Sequence, residues 1–474
     1  MKVIKNFIYN ASYHVFILLV PLLTIPYLSK VLGPTGVGIN SYTNSIIQYF
    51  ILFSGLGINL YGNREIAFVR DDKVRLKQTF YEIFLLRSIM IVISIVVFIL
   101  FFLKTNQYRI YYLAQSVSIV ASLFDISWFF MGVENFAITV FRNSIIKIIT
   151  LFSIFIFVKT YSDLTIYILI ISLSVLIGNL TLFPSLPRYI GNSKISKLNL
   201  RKHLFPSLVL FVPQSAMQFY LIVNKTMLGS MVSVQAAGFF DQSDKMVKLV
   251  LAIVTSMGTV MLPHVANAFV NGEYGKTREY LYKSFNFVTL LSVPMMFGIM
   301  AISPKFVPLF FTDKFIPVIP VLMIESIVIL LIAWSNTLGI QYLLPVKRVK
   351  EYTISILLGL FVNLIINIPL IIMFGTVGTS IATVISELSV TMYQLYILKN
   401  DISYRRLFTD TNKYFISGFV MFVIVFLMDI NFSKSWAMML FEVLVGVGIY
   451  IFMIFVMRVK FISEFKQLLT KGGG

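Results

Sequence analysis

The sequence predicts an all-α polytopic membrane protein of about fourteen transmembrane helices, on three observations. Of 474 residues, 58% are hydrophobic and 12% charged, whereas a soluble domain carries roughly 25% charged residues; the mean hydropathy of +0.88 agrees. Apolar runs of about 20 residues recur from end to end, each long enough to cross a hydrocarbon core of roughly 30 Å at 1.5 Å per helical residue. The 39 Lys and Arg lie in short clusters between those runs. A net charge of +19 gathered on one domain would suggest nucleic acid. Scattered in this way it reads as orientation in a bilayer, and no nucleic-acid partner is expected. With no cysteine, the chain has no disulfide, thiolate nucleophile or Cys-held metal.

Taken in order, the first helix covers 12 to 32; Lys2 and Lys5 precede it as in a signal peptide, but Pro21 and Pro26 lie inside it and no small-residue cleavage site follows, so it is retained. The second, 37 to 62, follows Gly33-Pro34 and carries a polar stripe of Asn40, Asn44 and Gln48. Helices at 82 to 103, 109 to 131, 137 to 158 and 165 to 185 complete a first group. The next six cover 205 to 230, 236 to 262, 284 to 302, 316 to 343, 352 to 374 and 377 to 398, broken by polar, Pro or Gly residues. Two more, 413 to 429 and 435 to 457, end the chain, and Gly472 to Gly474 read as a linker scar without fold information.

An even number of helices puts both termini on one side. That side collects most of the interhelical Lys and Arg, with Arg142 and Lys147 counted among them, while the other side holds few, such as Lys30, Lys104, Lys305 and Lys314. Both termini are therefore expected to be cytoplasmic, at a plasma or inner membrane. The longest external loop is expected from Ser303 to Phe315, leaving no external domain for chemistry.

Two stretches about 195 residues apart look alike, Val31 to Ser45 and Met227 to Ser243, each with Leu-Gly at a helix exit and a Gly-containing entry to the next. An offset of six helices is what a duplicated six-helix unit requires. The expected organisation is an N-terminal lobe at 1–200, a second lobe at 201–400 and two additional helices at 401–471.

Along nearly its whole length the chain resembles the polysaccharide transporter (oligosaccharide flippase) family, in the superfamily that also holds multidrug extrusion transporters and lipid II flippases. The resemblance rests on Pro26-Tyr27-Leu28, Leu32-Gly33-Pro34, Gly55-Leu56-Gly57 with Arg64 to Ala67, Asn224 to Gly229, Gly238 to Phe240, Gln341 to Leu344, Asn363 to Pro369, and Gly375 to Gly378 with Glu387. It implies two lobes facing a central cavity, alternating access, and an undecaprenyl-diphosphate-linked oligosaccharide as substrate, moved to the outer leaflet for capsule, exopolysaccharide or O antigen. It also implies contact with membrane lipids and with polysaccharide polymerase machinery, no enzymatic step and no resident cofactor. Many relatives have an acid in the seventh helix where this chain has Lys225, so that acid's role is not carried over.

Charges inside a bilayer usually face a cavity or a partner. Asp241, Lys245 and Lys248 share one face of the eighth helix, with Asp244 four residues before Lys248. Lys248 falls about 18 Å along that helix, near the midplane. Lys248, Lys245, Lys225 and Arg87 are the candidate diphosphate ligands, whose oxygens suit Lys and Arg donors. Alternatively, these charges neutralise Asp241 and Asp244 within the bundle, and Arg87 snorkels to the cytoplasm. Glu387 and Glu325 are candidate sites for a coupling cation or proton, or pair with a lysine. Asn40, Asn44, Gln48, Gln214 and Gln218 either hydrogen-bond sugar hydroxyls or glue helices together. Asp125 and Glu134 read as interfacial, and Trp128 to Phe130, which would also suit sugar stacking, as an aromatic belt.

Gly275-Lys276-Thr277 resembles the end of a phosphate loop, but Val270 stands where its first glycine belongs. Energy would then come from an ion gradient or the membrane potential. Three rival readings remain: a lipid II flippase, a cation-coupled drug antiporter, which would prefer an acidic cavity, and a membrane polysaccharide polymerase, which would present a large external loop.

Overall fold

The apolar runs fold as helices because a backbone in hydrocarbon must satisfy its own hydrogen bonds. The computed structural model describes residues 2–191 and 198–459, and of 2–19, 136, 137, 212–214, 217 and 257–260 the backbone alone. Among the described residues every regular element is helical: α1 Lys2–Gly55, α2 Ile58–Val69, α3 Lys73–Lys104, α4 Arg109–Leu123, α5 Ser127–Gly132, α6 Phe136–Phe157, α7 Leu164–Leu180, α8 Pro187–Ile190, α9 Arg201–Met231, α10 Val234–Val270, α11 Tyr274–Phe310, α12 Val318–Glu325, α13 Ile327–Leu338, α14 Val349–Leu398, α15 Tyr404–Leu407, α16 Thr411–Asn431 and α17 Trp436–Val456. A π-helical turn, Gly339–Leu343, follows α13.

Ten stretches are long and apolar enough to span a membrane, and α10 adds an eleventh, bent by 44°. Two of the ten, Val20–Val69 and Val349–Leu398, run for 50 residues, about 75 Å of helix against a core of roughly 30 Å, so each is two spans. The divisions are Gly33 (φ 62°) and Gly375 (φ 57°), where the left-handed backbone favours glycine. With α9 the described residues hold fourteen spanning segments, as the apolar runs predict.

Contacts group the chain into two compact units, Met1–Gly238 and Phe239–Gly474. In the first unit, the Asp72 side chain caps α3 by accepting from the Val74 and Arg75 amides at 3.0 and 3.1 Å. One core cluster gathers Ile58, Tyr61, Phe80, Ile83, Trp128 and Phe129. Trp128, Phe129 and Phe130 are fully buried, which corrects the aromatic-belt expectation. The reason is a break in the expected 109–131 helix at Phe124–Ile126 that turns α5 inward, stacking Trp128 on Phe80 at 5.6 Å. The repeat-like stretches meet within this unit: Gln235 Nε2 donates to Thr35 Oγ1 at 2.8 Å.

In the second unit, Val293, Met296, Leu330, Tyr414, Met421 and Tyr450 form one core, pinned by Tyr450 Oη donating to the Leu290 carbonyl at 2.9 Å. At a membrane-flanking turn, the Arg348 guanidinium binds the Glu351 and Asp401 carboxylates, and the Glu351 hydrogen bond leads in raising its pKa. Lys305 lies inside α11 and is fully buried, not in a loop from Ser303 to Phe315. The helix α11 continues through Pro304 and Pro308. Arg142 and Lys147 likewise lie inside α6, not at its flank.

Candidate functional site

The polar interior of the first unit is built by four helical faces. The stripe on the second half of α1 presents Asn44 and Gln48, the start of α2 presents Asn59, α3 presents Arg87, and α9 presents Gln218; with Asp125 these line a recess of about 440 Å³. Arg87 is only 4% exposed, so its charge needs a partner. Nη1 donates to Asn59 Oδ1 at 3.0 Å and to the Asp125 carbonyl at 2.9 Å, and Nη2 lies 3.4 Å from Asp125 Oδ2. The same carboxylate accepts from the Ser127 amide at 3.0 Å and its hydroxyl at 2.5 Å, while the Trp128 indole holds the Asp125 carbonyl at 3.1 Å. Asp125 is thus held by the α4–α5 break and pairs with Arg87.

A second recess of about 370 Å³ shares Ile171, Val175 and Asn179 of α7 with the first. It is lined by Arg142 and Lys147 of α6. Arg142 Nη1 donates to the Gly178 carbonyl at 2.9 Å and to Asn179 Oδ1 at 3.1 Å, and its charge also reaches Asp125. Lys147 has no carboxylate partner among the described residues. The two recesses therefore carry three cations, Arg87, Arg142 and Lys147, against one acid, Asp125, a surplus of about two positive charges.

Four of the residues singled out by sequence, Arg87, Asn44, Gln48 and Gln218, converge on the first recess. Asn40 lies on the same stripe, but its side-chain oxygen accepts from Gln115 Nε2 at 3.2 Å, a bond between α1 and α4. The side chain of Gln214 lies outside the described residues. Lys225 is half-buried on α9. In the second unit, Lys245 pairs with Asp241 at 2.6 Å and Lys248 with Asp244 at 2.7 Å, each along α10. Glu325 and Glu387 are both buried, at the end of α12 and in the second half of α14.

Sequence reasoning missed Asn59, Arg142, Lys147 and Asn179. A signal existed for Arg142 and Lys147: six and eleven residues into an apolar helix, they are as deep as charges that were singled out elsewhere. Also missed is a network around the buried Glu82, which accepts from the Asn199 amide at 2.9 Å and from the exposed Lys202 at 3.2 Å. His203 Nε2 lies 2.8 Å from Glu82, and Nδ1 lies 2.7 Å from Tyr61 Oη. It fastens the start of α9 onto α3 and α2, and its members are far apart in sequence.

Residues 3–269, more than half of the chain, match the family described as polysaccharide biosynthesis protein. The chain belongs to that family. A relative in Escherichia coli (strain K12), provisionally named an O-antigen transporter, is 24% identical over 402 residues, covering 84% of this chain and 97% of its own. Among solved structures, the lipid II flippase MurJ in an inward closed conformation superposes with a TM-score of 0.77 over 96% of this chain and all of its own, at 17% identity. An inward-facing multidrug transporter of the MATE family superposes at 0.58 over 81% of this chain and 98% of its own, at 12% identity. This member of the polysaccharide biosynthesis family therefore has the helical transporter fold, and its named relatives are transporters and flippases, not enzymes.

Proposed function

We propose that this protein moves a lipid-linked oligosaccharide, an undecaprenyl diphosphate bearing a repeat unit, from the cytoplasmic to the outer leaflet by alternating access, for assembly of a surface polysaccharide. The observation that carries the reading is the surplus of two positive charges around the first-unit recesses, set beside amide side chains. Diphosphate oxygens take charge-assisted hydrogen bonds from Arg and Lys, and Asn44, Gln48 and Gln218 offer donors and acceptors to sugar hydroxyls. A cationic drug would meet repulsion in the same recesses. The name of the Escherichia coli relative supports a polysaccharide precursor as cargo.

Moving a diphosphate outward from a negative interior is favoured by about 2.3 kcal/mol per charge per 100 mV, so membrane potential supplies the drive unless counterions travel too. Glu325 and Glu387 stay as the proposed coupling residues should an ion also move, and Lys225, Lys245 and Lys248 as further proposed diphosphate contacts. The test is the sidedness of lipid-linked oligosaccharide in membranes of a strain lacking the protein, read with an impermeant probe on the sugar. Accumulation on the cytoplasmic face, relieved on restoring the gene, is expected. Normal export of the oligosaccharide with arrested lipid II, or with altered drug tolerance, would move the protein to those other cargoes.

A further inference from the structure

The second unit buries a charged triad that nothing above uses. Lys305 of α11, Asp429 of α16 and Glu442 of α17 all have side chains at most 1% exposed. The Lys305 ammonium contacts the Glu442 carboxylate directly and lies 4.0 Å from Asp429 Oδ1. The charged groups that act on Asp429 from the helices packed against it are Lys305 and Glu442. Two carboxylates against one ammonium leave one negative charge in a site closed to water, which is strongly unfavourable.

Two further observations say how that charge is removed. The Asp429 and Glu442 carboxyl groups lie within hydrogen-bonding reach of each other, and two ionised carboxylates repel there, whereas one proton between them makes a bond. Counted as ionised, the two Asp429 oxygens and Glu442 Oε2 are buried with no hydrogen bond of normal length, and the Lys305 backbone amide approaches Asp429 only loosely. Glu442 also stands in the wall of a recess of about 660 Å³ whose other residues are almost all apolar, among them Leu290, Met295, Ile302 and Val447.

We propose that Lys305, Asp429 and Glu442 form a binding site for one proton, held between the two carboxyl groups, which fastens the last two spans to α11. Lys305 stays charged against the pair, and the proton comes from and returns to solvent when α16 and α17 part from α11. The ammonium between the acids favours a proton over a metal cation, which would meet its repulsion. The site rests on its own chemistry and not on the cargo assigned above.

The test is infrared spectroscopy of the purified full-length protein at neutral pH, which reads a protonated carboxyl group by its C=O stretching band and needs no substrate. The wild type is expected to show one such band, shifted on transfer to heavy water, that is lost in Asp429→Asn. Asp429→Asn supplies an amide donor in place of the proton and is expected to melt at or above the wild-type temperature. Glu442→Gln is the second variant, in which Asp429 takes over the ion pair and the band again disappears. A wild type without the band, a band that survives both substitutions, or a spectrum that changes when sodium replaces choline in the buffer would overturn the assignment.

Discussion

In the first unit, Arg87, Arg142 and Lys147 stand around recesses lined by Asn, Gln and Ser, where Arg87 and Arg142 share the single acid Asp125 and Lys147 has none. In the second, the 660 Å³ recess is apolar, Lys245 and Lys248 each have an acid one turn away, and Lys305 is locked against two. Lys245 and Lys248 are partly exposed whereas Arg87 and Lys305 are buried, so the contrast lies in what each charge faces and in what is left over. A surplus of cations facing a recess is a site waiting for an anion. Cations matched one to one along their own helix hold the helix together and offer an anion little beyond what Asp241 and Asp244 already take.

The largest expected effect tests whether Asp125 needs its arginine. Arg87→Ala strands a buried carboxylate, and breaking a buried pair costs about 3–5 kcal/mol. The variant should melt well below the wild type in detergent and carry no oligosaccharide. Adding Asp125→Asn should restore most of the melting temperature without restoring transport. An Arg87→Ala protein that melts like the wild type would mean that Arg142 alone balances Asp125.

Next in size is Lys147→Met, which removes a cation with no acid partner. Nothing is stranded, so the melting temperature should stay level or rise, while flipping measured by sugar sidedness should fall about 10- to 100-fold, the weight of one charge-assisted bond of about 1.5–3 kcal/mol. Unchanged flipping would remove Lys147 from the anion site and halve the surplus that distinguishes the first unit.

Much of this contrast was within reach of the sequence, and the part that was not has a physical cause. Fourteen spans are readable because apolar length alone decides them, and the α1 stripe of Asn44 and Gln48 because helical spacing places both on one face. Arg142 and Lys147 fall within the expected 137 to 158 helix, but a cation early in an apolar run looks in sequence like a flanking charge; the recess they line beside α7 puts them in the bundle. Asp125 depends on a three-residue break between α4 and α5 inside a run that reads as one helix. Lys305, Asp429 and Glu442 meet across 124 and 137 residues of separation, and no local pattern encodes such a meeting.

The smallest effect is expected at Lys248, which by sequence alone is the foremost diphosphate ligand, and it therefore discriminates most sharply between the two units. Its ammonium lies 2.7 Å from Asp244 with 45% of the side chain exposed, and a partly exposed pair is worth up to about 1 kcal/mol. A phosphate would have to displace or share that carboxylate, so Lys248→Met should slow flipping by less than about fivefold. The double variant Lys248→Met/Asp244→Asn should recover to the wild-type rate, because it removes the pair as a neutral unit. Lys147→Met has no acid whose removal could rescue it. If Lys248→Met instead abolishes flipping in a protein that still melts normally, and Asp244→Asn brings no recovery, then Lys248 contacts the cargo despite its partner.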